Sequence, residues 1–169
     1  MKAGPEGRFE TLYWENHREL LAFIRRRTEA EAEDIVAETF VVAWRRIDDV
    51  PVDARPWLFG VARNVLRNHL RAQNRQLLLK VRIDQQPEEP QTDLATSIAN
   101  RQDLADAWNR LTPAEQEVIS LVAWEELSND QAATVLGTTK SAFAVRLFRA
   151  RRRLLHLLNR TTQKGGHHG

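Results

Sequence analysis

The sequence contains no cysteine. Disulfides and thiolate metal sites are therefore excluded. No apolar run approaches the roughly 18 residues that a membrane span needs, so membrane insertion is not expected. Met1 to Arg8 is polar, carries Gly and Pro, and lacks the apolar stretch of a secretory signal. The cytoplasm is the expected compartment. Histidines are few: His17, His69 and His156 are scattered without metal-ligand spacing, and His167 and His168 sit in a polar end. No metal and no cofactor is expected. Neither a phosphate-binding loop nor a nucleophile–base arrangement occurs, so an enzyme is not expected.

What is present fits a globular protein. The 169 residues are 42% hydrophobic and 28% charged, enough for one domain or two small ones with a buried core. The net charge of +2 conceals a segregated distribution. Glu29, Glu31, Glu33, Asp34 and Glu38 form an acidic block. Arg63, Arg67, Arg71 and Arg75 form a basic one, and Arg149, Arg151, Arg152 and Arg153 another. Such blocks point to distinct contact surfaces, although each one alone also fits a solvated helix face.

Helical periodicity runs almost throughout, and no segment alternates as a strand does, so the fold class is all-α. A first helix carries Phe9, Leu12, Leu20, Phe23 and Ile24 on one side and ends in Arg25 to Arg27. A second carries Ala32, Ile35, Val36, Phe40, Ala43 and Ile47, with acids first and Arg45 and Arg46 last, as the helix dipole favours. Asp48 to Arg55 reads as a loop. Pro56 opens a third helix that extends to about Leu79. Asp84 to Asp93, DQQPEEPQTD, is acidic, proline-containing and nearly free of apolar residues, the composition of a flexible linker. A fourth helix begins near Leu94 and carries Ile98, Leu104 and Trp108. Thr112-Pro113-Ala114-Glu115 and Ser128-Asn129-Asp130-Gln131 each have the spacing of a capping box. Gly137 suits the left-handed residue after a helix, and Thr138 or Thr139 caps a last helix that runs to about Leu158. The organisation expected is two small helical domains, 9–83 and 94–158, joined by the linker 84–93 and followed by a disordered tail, 159–169.

Ser128 to Leu158 has the pattern of a helix-turn-helix. On its last helix Phe143, Leu147, Ala150, Leu154 and Leu158 make a core face. Opposite lie Ser141, Ala144, Val145, Phe148, Arg149 and Arg152, where small apolar groups meet thymine methyls and arginines reach phosphates or guanine edges. The competing reading is a helical bundle with a basic amphipathic end. In the third helix Arg63, Arg67, Arg71 and Arg75 fall at steps of four on one stripe, where like charges repel unless something anionic offsets them. Asn64 and Asn68 lie beside it, with amides suited to base edges. Trp57 and Phe59 stand at the start of the same helix, where aromatics suit unstacked bases; Trp57 equally suits a core. In the second helix Val41, Val42 and Trp44 carry apolar character beyond one face, which fits either complete burial or a protein-binding surface.

The segments AEDIVAETFVVAWRRI, RPWLFGVARNVLRNHLR, LTPAEQEVISLVAWEELSNDQAATVLG and VRLFRARRRLLHLL, in this order and spacing over about residues 9 to 158, resemble a bacterial alternative sigma factor of the extracytoplasmic-function (ECF) type. The resemblance implies a region 2 helical bundle and a region 4 helix-turn-helix that bind core RNA polymerase and direct it to promoters. It places Asp34, Glu38, Phe40, Trp44 and Arg45 against the polymerase clamp. It places Trp57, Arg63, Asn64, Arg67, Asn68 and Arg71 on the minus-ten element, where a base is flipped from the stack. Thr139, Lys140, Ser141, Ala144, Val145, Phe148, Arg149 and Arg152 fall on the minus-thirty-five element. It also implies an anti-sigma factor as partner. Two departures stand out. Asn68 replaces a frequent aspartate, and Ala144-Val145 replaces a usual polar or basic pair, which shifts readout there toward thymine methyls and backbone shape. A polymerase-independent helix-turn-helix regulator, acting as a dimer, would leave the arginine stripe without a role. A protein-only helical adaptor would leave both basic surfaces unexplained.

Overall fold

A computed structural model describes residues 3–73, 79–83 and 94–165, and the expected linker 84–93 lies outside the described residues. All regular structure among them is helical: α1 (Pro5–Arg25), α2 (Ala32–Arg45), a 3-10 turn (Ile47–Asp49), α3 (Ala54–Ala72), α4 (Leu94–Asn109), α5 (Pro113–Ala123), α6 (Asn129–Leu136) and α7 (Lys140–Gly165).

The apolar stripes of α1, α2 and α3 face one another. Leu20, Phe23, Ile24, Ile35, Phe40, Leu58, Phe59 and Leu66 are all buried. Phe23 and Phe59 stack nearly parallel, with ring centroids 4.6 Å apart. Phe59, expected beside the base-stacking Trp57, is thus wholly a core residue. α1 begins at Pro5, before the expected Phe9, because a proline in the first turn gives up no hydrogen bond. α2 starts after Glu31, which holds a left-handed φ of 63°. That conformation costs a non-glycine residue roughly 1–2 kcal/mol. His69 of α3 and Gln73, which caps that helix, hold Glu31 in place: its carboxylate accepts from His69 at 3.1 Å and from Gln73 at 3.0 Å.

The third helix is shorter than its apolar run implied. α3 ends at Ala72, and residues 79–83 form no regular structure. Leu79 and Val81 are nevertheless buried. The Val81 amide donates to Gln116 Oε1, its carbonyl accepts from Trp108 Nε1, and the Arg82 amide donates to the carbonyl of Arg26. Two side chains of the second half and a backbone carbonyl at the end of α1 thus satisfy this backbone, which removes the need for helical hydrogen bonds. Sequence periodicity cannot register partners so remote in the chain.

The second half follows its punctuation closely. Thr112 with Glu115 and Ser128 with Gln131 form complete capping boxes. Gly137 ends α6 at φ 64°, and Thr139 Oγ1 accepts from the Ala142 amide to start α7. Phe143, Leu147, Ala150 and Leu157 turn inward from α7. This helix continues to Gly165, so 159–165 are helical rather than disordered; Thr161 and Thr162 hydroxyls bond back to the carbonyls of Leu157 and Leu158. Residues 166–169 lie outside the described residues.

The two halves meet where α3 crosses α6. A Cβ placed on Gly60 would stand 3.6 Å from the carbonyl oxygen of Val135, in ordinary van der Waals contact, so the two backbones lie close together there with room for a methyl group but not for a larger side chain.

Candidate nucleic-acid and partner interfaces

On α3 the expected minus-ten residues separate by exposure. Asn64, Asn68 and Arg71 are open to solvent, and Trp57, Arg63 and Arg67 are half-buried. Arg75 lies outside the described residues. Trp57 keeps one face accessible, with the Arg46 guanidinium 5.5 Å from its ring centroid. A cleft is lined by Trp57, Asn64 and Arg67 on one side and by Thr134, Leu136 and Gly137 on the other. Desolvation at this cleft, and then the neighbouring Arg63 charge, lower the pKa of Arg67.

The anion that offsets the stripe comes partly from the chain itself. Arg63 donates from Nε to Oε1 of Glu117 at 2.7 Å and from Nη2 to Oε2 at 3.3 Å. Beside this pair lies a second group, in which Arg27 and Glu125 are almost wholly buried. Arg26 donates to Oε1 of Glu125 at 2.6 Å, Arg27 Nη2 to the Ser120 hydroxyl at 3.1 Å, and Arg55 Nη2 to the Glu125 carbonyl at 2.6 Å. Burial lowers the Arg27 pKa to about 10, a shift the Glu117 and Glu125 carboxylates partly oppose. Burial likewise raises that of Glu125, against the pull of Arg26 and Arg27. From sequence alone no role falls to Glu117, Ser120 or Glu125, because acids flanked by the apolar residues of α5 and by Trp124 give no local sign of the distant arginines they meet.

On α7 the expected minus-thirty-five residues lie outward. Thr139, Lys140, Ser141, Val145, Phe148, Arg149 and Arg152 are exposed, and Ala144 is half-buried. Ser141, Val145, Phe148 and Arg152 follow one another at steps of four, three and four, so they share one stripe. Phe148 is 65% exposed, unusual for so large an apolar side chain. Thr139 also has a structural task as the cap of the helix, and Lys140 pairs with Asp130 at 3.4 Å.

On α2, Asp34, Glu38, Trp44 and Arg45 are exposed. Phe40 is not: it packs edge-on to Phe9 and against Tyr13, in the core. Phe9, Tyr13 and His17 of α1 cover its ring, so at 4% exposure it cannot touch a docking protein directly. Val41 and Trp44 are the exposed apolar residues of this surface, and Trp14 on α1, which sequence reading passed over, is exposed as well. His69 of α3 joins the acids of this surface: its Nε2 lies 2.7 Å from Glu38 and its Nδ1 3.1 Å from Glu31. Those hydrogen bonds, first to Glu38 and then to Glu31, raise its pKa.

Comparisons with known proteins agree with this layout. Residues 12–76 match the sigma-70 region 2 family and residues 101–154 the sigma-70 region 4 family. The chain is 34% identical to the RNA polymerase sigma factor NccH of Alcaligenes xylosoxydans xylosoxydans over 138 residues, 77% of this chain and 74% of that one. It is 34% identical over 129 residues to the ECF RNA polymerase sigma factor SigL of Mycobacterium tuberculosis, covering 74% of this chain and 73% of that one. Among solved structures it is similar to the sigma factor RpoE in complex with the anti-sigma factor NepR from Bartonella quintana. The TM-score is 0.63 at 26% identity, over 89% of this chain and 96% of the other. The two matched regions, in this order and on these helices, place the chain in the family of ECF-type RNA polymerase sigma factors.

Proposed function

We propose that the chain binds core RNA polymerase through the exposed face of α2 and directs it to promoters, with α3 reading the minus-ten element and α7 the minus-thirty-five element. The working units are 9–83 and 94–158, joined by 84–93. The observation that carries this reading is the pair of separate outward faces, Asn64, Asn68 and Arg71 on α3 and Ser141, Val145, Phe148, Arg149 and Arg152 on α7. Amides and aromatics suit opened strands, whereas a helix-turn-helix stripe suits duplex DNA. The protein works in the cytoplasm by binding and positioning, not by catalysis. An anti-sigma factor partner follows from the RpoE–NepR likeness. Among the described residues no helix is long and apolar enough to cross a membrane.

The test is reconstitution. Purified chain is added to bacterial core polymerase with a library of randomised promoters, and transcripts are sequenced. The expected result is initiation at a shared two-element motif. Transcripts no more frequent or selective than those of core polymerase alone would overturn the reading.

A further inference from the structure

We propose that the cavity between the C-terminal half of α1, residues 82–83 and α4 binds a nucleoside polyphosphate, with its phosphates on four arginines and its base on an apolar wall. The cavity measures about 760 Å³. Small-molecule sites occupy about 300–1,000 Å³. Arg18, Arg25, Arg26 and Arg82 line it, and among the described residues no carboxylate does. Four like charges around one space repel, so their convergence costs stability unless an anion joins them. The helix dipole accounts for cations at the end of α1. It does not account for Arg18, which lies two turns earlier on the same face as Arg25.

The chain's own acids leave these arginines able to take a further partner. Arg18 is exposed and has no ion pair among the described residues. Arg25 and Glu33 stand 3.6 Å apart, both exposed, so water screens their attraction. Arg82 is fixed in place by its neighbours. Its amide donates to the Arg26 carbonyl at 2.9 Å, its Nη2 to the Arg25 carbonyl at 2.6 Å, and its Nη1 to Glu29. A guanidinium has five N–H donors, so donors remain for an anion. Leu21, Ala22, Ile83 and Ala105 give the cavity its apolar part. The two alanines, one from α1 and one from α4, leave room for a flat ring. Asn109 adds one amide that both donates and accepts. Bare phosphate would use the arginines and leave this wall wet, whereas a nucleotide uses both. With a single amide to read the base, the site selects for phosphate number more than for base identity.

The full chain is titrated calorimetrically with ADP, GDP, pyrophosphate and adenosine. Saturable one-to-one binding of ADP and GDP is expected, with pyrophosphate weaker and adenosine not bound. Arg18→Ala, on an exposed helix surface, should weaken ADP binding about tenfold, and Arg18→Glu should weaken it further. Ala105→Trp, which fills the space beside the wall, should weaken ADP binding more than pyrophosphate binding. Arg8→Ala removes the same charge about 15 Å away along α1 and should change neither. Circular dichroism checks that each variant keeps the helix content of the parent. Absence of saturable ADP and GDP binding by the parent overturns the proposal. So does undiminished binding by both Arg18 variants, and so does pyrophosphate binding as tightly as ADP. Loss of ADP binding in Arg67→Ala or Arg149→Ala, with Arg18→Ala unaffected, would put the ligand on the nucleic-acid faces and overturn it as well.

Discussion

Replacing Gly137 with alanine isolates a purely conformational effect. The residue ends α6 at φ 64° and ψ 36°, a left-handed conformation that L side chains adopt at a cost of roughly 1–2 kcal/mol. Nothing lies within 4 Å of a Cβ built there, so no collision adds to that cost. The alanine also stiffens the unfolded chain, but this offsets little where φ is positive. The net loss is about 1 kcal/mol, a fall of about 2–4 °C in melting temperature for a chain of this size. Asparagine tolerates the left-handed region better than alanine and should recover part of the loss; valine, β-branched, should lose more. Thermal unfolding followed by far-ultraviolet circular dichroism checks the series. An alanine variant as stable as the parent, or an asparagine variant less stable than alanine, would refute the reasoning.

Phe40→Ala removes a buried ring and should cost about 3–5 kcal/mol in urea unfolding, whereas Trp44→Ala should leave stability within about 1 kcal/mol yet weaken core polymerase binding. Equal stability losses in the two variants would contradict their placement. His69 has a pKa raised above its ordinary 6.5 by Glu38 and Glu31. A raised folded pKa contributes stability that is fully present below 6.5 and lost as pH rises through the folded value. Chemical denaturation across this window should show stability falling with pH in the parent, with a flatter profile in His69→Gln. Ala144→Arg places a donor on the α7 face and should alter minus-thirty-five preference in a promoter-library selection; an unaltered preference would rule out a role for that position in readout.

Local signals were legible in the sequence, and contacts between distant residues were not. Both capping boxes, Gly137 and the order of helices follow from short-range chemistry, because each depends on residues within one turn. The outward stripe of α7 follows from spacing alone. Three differences between sequence and structure have other origins. The run LLLKVRI continued a helical period, but Val81 bonds to Gln116 and Trp108 instead. The resemblance places Phe40 against the clamp and Phe59 stands beside Trp57 among aromatics suited to bases, but both are buried, because only packing decides which apolar positions of a helix are covered. The polar end after Leu158 lacks an apolar stripe, yet the helix propagates through it: elongation adds a hydrogen bond for each residue fixed, with no new nucleation cost.

The interface between the halves combines an apolar core that is continuous across both with buried and half-buried ion pairs. Removing two charges from water is costly, and a buried ion pair often contributes no more than well-packed apolar side chains of similar volume. Arg27 and Glu125 both carry the mark of that cost in their shifted pKa values. Packing and polarity are divided here: Gly60 of α3 lies against the Val135 backbone of α6, while Arg63, one turn further along α3, meets Glu117 of α5. Buried against Glu117, Arg63 is satisfied; exposed, it is hydrated; beside DNA, it meets a phosphate with the same fork. Arginine suits this triple duty better than lysine, whose compact ammonium lacks the planar fork and holds its water more strongly. Arg63→Lys should therefore cost about 1 kcal/mol in urea unfolding, because lysine keeps the charge but loses one of the two hydrogen bonds to Glu117, and a variant as stable as the parent would refute it.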